Sequence, residues 1–197
     1  MTGSTTPCCA NGPEFYPLRL LLLLLLFVPL LALSDDRVRH AELVAGEDGY
    51  VVNADIDLDL NPRLVELISH GVSLHFSAQF EIEQPRWYWF DESVIEHSLN
   101  YRISYHAITR TYRLSIGNLH QSFDTLDSVL RTMQRIRNWR VADFSTLTPG
   151  NTYRASLRLI HDTSMLPRPF QVTAIGSSEW ALDTDWMQWT FRAGAPP

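Results

Sequence analysis

Beyond residue 36 the chain falls mostly into period-two segments, the spacing at which a strand turns alternate side chains to opposite faces. Residues 38–44 predict a first strand, and Gly46-Glu47-Asp48-Gly49 a turn after it. From Asn53 the alternation is strict. Ala54, Ile56, Leu58 and Leu60 make an apolar face, and Asn53, Asp55, Asp57 and Asp59 a wet one. Asn61-Pro62 is suited to cap and open a short helix, and Gly71 to close it. Val72, Leu74, Phe76, Ala78, Phe80 and Ile82 predict a long strand stopped by Pro85. Residues 95–105 alternate again through Leu99, Tyr101 and Ile103. Residues 111–116 are expected to pair back on them, with a turn at 107–110.

One stretch breaks this periodicity. Leu126, Val129, Leu130, Met133 and Ile136 form a single apolar stripe at helical spacing, with Thr125 as N-cap and Asn138 near the end. Arg131, Arg135 and Arg137 then fall in the last turns, where cations favour the negative end of the helix dipole. After Pro149-Gly150 a further strand alternates through Tyr153, Ala155, Leu157 and Leu159, and residues 170–175 and 187–191 are the last strand candidates. Seven or eight antiparallel strands with one packed amphipathic helix predict a mainly β fold, an antiparallel β-sandwich. The absence of alternating βαβ units argues against a parallel sheet. No repeat or linker divides residues 35–197, which are expected to form one domain.

Ahead of that domain, residues 20–33 are apolar throughout, interrupted only by Pro29. As a helix they would span about 21 Å, short of a hydrocarbon core of roughly 30 Å. That length suits the h-region of a secretory signal. Arg19 precedes the run and Asp35 and Asp36 follow it, a polarity that exports the rest of the chain. Ala32 and Ser34 supply the small residues of a cleavage site after Ser34. The alternative is an uncleaved N-terminal anchor. The expected location is therefore the periplasm or the periplasmic face of the inner membrane, with membrane contact only through this segment.

Composition narrows the function classes. The 197 residues carry 16 Lys plus Arg against 22 Asp plus Glu, a net charge of −6. A nucleic-acid binder needs a basic face to neutralise phosphates, so that class is excluded. Every basic residue is Arg, which reads as compositional bias. The two cysteines, Cys8 and Cys9, precede the apolar run and are lost on processing, which excludes a disulfide scaffold and a Cys-rich zinc site.

Candidate chemistry is sparse. Asp55, Asp57, Asp59 and Glu66 match positions 1, 3, 5 and 12 of a calcium loop, but Leu60 stands where the turn needs Gly, and Ile56 and Leu58 continue a strand. A solvated strand face is the favoured reading. Trp87, Tyr88, Trp89 and Phe90 supply a stacking platform for glycan rings, a belt at a membrane interface or core packing, and core packing is favoured because aromatic residues dominate small cores. Asp91 and Glu92 are adjacent and diverge on a strand, so they read as a turn or a helix start. The seven His lie at positions 40, 70, 75, 97, 106, 120 and 161, none in a helix-spaced metal pair. His97 is in register with Tyr101 and Tyr105 and is a candidate for burial. There is no Gly-x-Ser-x-Gly elbow and no phosphate loop. Pro167-Arg168-Pro169 predicts a rigid extended connection, with Arg168 as a candidate for display to a partner. Trp87, Tyr88, Trp89, Asp91 and Arg168 together are the candidate partner or ligand surface. No catalytic residue, metal site or cofactor is expected.

Several segments recur together in one family: 84–92 (QPRWYWFDE), 101–106 (YRISYH), 109–113 (TRTYR), 123–127 (FDTLD), 166–172 (LPRPFQV), 177–180 (SSEW), and the end from Trp186 to Trp189. In this order the chain resembles the proteobacterial domain of unknown function 4390. The resemblance implies an exported or membrane-anchored protein, often encoded beside NtrY-type sensor kinases and NtrX-type regulators, and carries no established activity. The reading that follows is a non-enzymatic module binding an envelope protein such as a sensor kinase. The alternatives are a periplasmic binder of a small molecule, lipid or glycan, and a hydrolase on a β scaffold.

Overall fold

Gly49 sets the first corner of the fold. A Cβ at this position would stand 2.2 Å from the carbonyl oxygen of Ala142, and its φ is +150°, so only glycine lets the two backbones approach. The turn it closes joins β1 (Arg37–Ala45) to β2 (Tyr50–Asp57), which pair antiparallel. The computed structural model describes residues 37–194 apart from residues 87, 89–91, 175–179 and 181. The apolar leader and the cleavage site lie outside these.

The described residues form two antiparallel sheets. One has the order β1-β2-β7, with β7 at Arg135–Ala142. The other has the order β6-β5-β4-β3-β8-β9. Its strands are β3 (Leu74–Gln84), β4 (Glu92–His106), β5 (Thr111–Ile116), β6 (Leu119–Phe123), β8 (Thr152–His161) and β9 (Met187–Arg192). This is the antiparallel two-sheet arrangement that the alternation predicts.

The period-two pattern becomes the core directly. Val52, Ala54 and Ile56 on β2 are buried, as are Leu74, Phe76, Ala78, Phe80 and Ile82 on β3 and Ala155, Leu157 and Leu159 on β8. Phe80 links the layers. Its ring lies 6.0 Å from that of Trp139 on β7 in the small sheet, and 6.2 Å from that of Trp189 on β9.

Helix α1 (Pro62–Ser69) forms as its ends dictate. Asn61 accepts from the Leu64 amide at 3.0 Å, and Pro62 occupies a first-turn position where no donor is needed. Gly71, at φ +85°, ends it: its amide reaches the Ile68 carbonyl and the Val72 amide that of Leu67, the paired bonds of a Schellman cap.

Helix α2 (Leu126–Met133) is shorter than its apolar stripe predicts. Thr125 caps it, and Val129 and Met133 are buried. Ile136 also lies inward, but on a strand. The Ile56 amide bonds the Gln134 carbonyl at 2.8 Å, and pairing with β2 takes over at Arg135. Only Arg131 therefore sits in the last turn, while Arg135 and Arg137 belong to β7. Residues 170–174 differ too. Helix α3 (Arg168–Ala174) replaces the expected strand. Pro167 starts it rather than extending the chain, since its carbonyl accepts from Phe170 at 2.9 Å.

Candidate functional site: an open strand edge

Strand β4 is 15 residues long and pairs with β3 from Glu92 to Ile103. On its other side it pairs with β5 only from Tyr101 to His106. Among the described residues, no strand lies beside positions 92–100 on that flank. Their outward N–H and C=O groups form an open edge about 30 Å long at strand rise. Glu92, Ser93, Glu96, His97, Ser98 and Asn100 are exposed; of their partners on β3, Phe80 and Ser77 are buried and the other four are half-buried.

The edge borders a groove. Val94, Ile95 and His97 of β4 form one wall, and Arg140, Val141 and Asp143, at the end of β7, the other. It encloses about 510 Å³ and is open to solvent. Arg140 pairs with Asp143 on its rim. His97 is in register with the buried positions of β4 but is exposed, on the wall of the open groove. The expectation that it is buried is corrected.

The buried histidine is His161. Its Nδ1 bonds the Trp180 carbonyl at 2.9 Å, and its ring lies 5.2 Å from Phe76. Burial holds its pKa below the ordinary value, only partly offset by that hydrogen bond and by Asp183 and Asp162.

The residues singled out from sequence fare differently. Tyr88 is 67% exposed, so it does not pack between sheets. It lies in the loop beyond the last β3–β4 register pair, Gln84 and Glu92. Trp87, Trp89, Phe90 and Asp91 lie outside the described residues. Glu92 opens a strand rather than a helix. Arg168 is exposed at the start of α3. The Tyr88 loop and the Arg168 segment leave opposite ends of the antiparallel β3–β8 ladder, so they do not make one surface. Asp55 and Asp57 lie on the wet face of β2. Each is paired at 2.5 Å with an arginine, Arg137 and Arg39 respectively, and Glu66 is paired with Arg63 at 2.9 Å. These carboxylates neutralise arginines, and among the described residues no group of three His, Cys, Asp or Glu is placed to hold a metal ion.

These features define an antiparallel two-sheet β domain whose largest strand is only half flanked. The chain belongs to the family described as a domain of unknown function (DUF4390), whose model matches residues 34–190. No curated protein and no solved structure matches it. Among the described residues, no helix is long and apolar enough to cross a membrane.

Proposed function

We propose that this protein is an exported, non-enzymatic interaction module that binds another envelope protein through the open edge of β4. The carrying observation is the unpaired flank of residues 92–100 beside the groove toward β7. Strand edges are usually shortened, charged or covered, because they recruit other chains. Here a long edge combines unfilled hydrogen-bonding capacity with a concave wall, which suits strand addition. Export is supported by the apolar run at residues 20–33 and its flanking charges. The gene neighbourhood implied by the family makes a sensor kinase the first partner to try.

The ligand-binding alternative has less support. Small-molecule pockets are concave and mostly apolar, whereas this groove is open and carries His97, Arg140 and Asp143. A second groove, of about 490 Å³, is lined by Arg39, Asp55, Asp57, Arg135 and Arg137.

The test is photo-crosslinking in cells, with the photoreactive residue at Ser98 on the edge or at Arg110 in the β4–β5 turn. One envelope protein crosslinked from position 98 and not from 110 is the expected result. Equal or absent crosslinking from position 98 would remove the interaction reading.

A further inference from the structure

The outer face of the large sheet carries a charge arrangement that says what the edge accepts. Glu81 on β3 and Glu96 on β4 are directly opposite in the ladder. Cross-strand neighbours bring their Cβ atoms to about 5 Å, where like charges oppose pairing. The two arginines of β8 on this face, Arg154 and Arg158, are held by other groups. Arg154 lies 3.6 Å from Glu83, and Arg158 bonds Gln79 at 2.8 Å while stacking over Trp186 at 4.3 Å. Glu92 is paired with Arg86. Among the described residues neither Glu81 nor Glu96 forms an ion pair, and Glu96 accepts only from the Ser93 hydroxyl, at 3.0 Å. Burial first, then Glu96 and Glu83, push the Glu81 carboxyl above its ordinary value.

Glu96 is on the strand with the open flank. A strand added there would set one side chain beside Glu96 on the outer face. Its two neighbours would turn inward, toward Ile95 and the groove wall at Val141. A cation at the outward position meets two carboxylates that form no ion pair among the described residues; Arg158 acts on Glu81 but is held on Gln79 and Trp186. A second copy of this chain is disfavoured: symmetric antiparallel pairing centred on this edge would add a third and a fourth carboxylate to the pair.

The geometry points to an extended segment of a partner protein that adds as a strand along residues 92–100, with an Arg or Lys facing Glu96 and Glu81 and apolar side chains turned into the groove. This rests on the interaction reading above and specifies the partner's chemistry.

The probe is a synthetic nonapeptide of alternating Arg and Val, added to the processed protein, with amide hydrogen exchange read residue by residue. Fast-exchanging amides within 92–100 should slow several-fold. Two control peptides should fail: the Glu-Val counterpart, and an Arg-Val peptide N-methylated at alternate residues, which keeps the charge but loses the ladder. Glu81→Gln with Glu96→Gln should weaken binding about five-fold, the scale of an exposed ion pair or two. Glu47→Gln with Asp48→Asn, an equal charge change in the β1–β2 turn, should leave it unchanged. Exchange in 92–100 that ignores the peptide, or equal binding of the N-methylated peptide, would overturn strand addition. Equal weakening by both double variants would overturn the role of the Glu pair. Slowing confined to a protein dimer, seen by light scattering, would point to a second copy instead and overturn the partner assignment. A specific crosslink from position 98 that maps to a folded, non-extended surface would remove this inference and leave the interaction reading standing.

Discussion

The Nδ1 of His161 donates to the backbone carbonyl of Trp180, joining the end of β8 to a residue 19 positions later. That bond fixes the proton on Nδ1. Nε2 is left buried and without a partner among the described residues. The same stretch is held by the His161 amide donating to Leu182 and by the Thr184 amide donating to Leu159. Protonating the ring would place a second, unanswered N–H and a charge beside Phe76. Asp162 and Asp183 face the ring and soften this cost without cancelling it. His75, near Asp162 and Arg102, is shifted the same way, chiefly by burial.

The pH dependence follows from the direction of both shifts. A histidine whose folded pKa is lowered contributes its full stability above the unfolded value of about 6.5 and loses it as pH falls toward the folded value. Thermal stability should therefore decline from pH 7 to pH 5. His161→Gln keeps a donor for Trp180 but does not titrate, so its melting temperature should fall less over that interval. A variant profile as steep as that of the unaltered protein would show that the decline arises elsewhere.

Faces were legible in the sequence where burial is one-sided. The alternation from Ala54 to Leu60 and from Leu74 to Ile82 marks the inward positions, because strand side chains alternate whatever the neighbouring strand. Boundaries failed where two periods share a residue. Ile136 continues the α2 stripe by spacing, yet its burial comes from β7, and only the long-range bond between Ile56 and Gln134 separates the cases. Strand β6 has no pattern to find, since residues 119–122 are all exposed at the sheet edge. The candidate site was hidden for the same reason. Alternation does not name strand neighbours, so nothing in residues 92–100 reveals that β5 stops beside Tyr101.

Phe80 is the packing link between layers, fully buried between Trp139 and Trp189. Phe80→Ala leaves a cavity that neither sheet can close alone, and should cost about 3–5 kcal/mol. Chemical denaturation is the direct measurement. A loss below about 1 kcal/mol would mean that the two sheets do not share this contact.

Arg110, in the β4–β5 turn, has φ +55° and an exposed side chain. A non-glycine residue pays roughly 1–2 kcal/mol for this conformation. Arg110→Gly recovers part of that, offset by the greater freedom of glycine in the unfolded chain. The expected net gain is about 0.5–1 kcal/mol, read as a higher denaturation midpoint at unchanged slope. Destabilisation would instead assign the Arg110 side chain a stabilising role.

Glu81 offers the opposite pH signature to His161. Its carboxyl is partly buried, faces Glu96 and lies near Glu83, so its folded pKa is raised. An acid shifted upward favours the folded state only while protonated. Its contribution is most favourable below the model value of 4.5 and is lost as pH rises through the folded value. At pH 7 the ionised carboxylate is a net burden that Glu81→Gln removes. The substitution should raise stability by a few tenths of a kcal/mol, the scale of a cross-strand like-charge pair. The gain should shrink in high salt, where the repulsion is screened, and disappear near pH 4. A gain that persists unchanged at pH 4 would reflect burial of the amide rather than repulsion from Glu96.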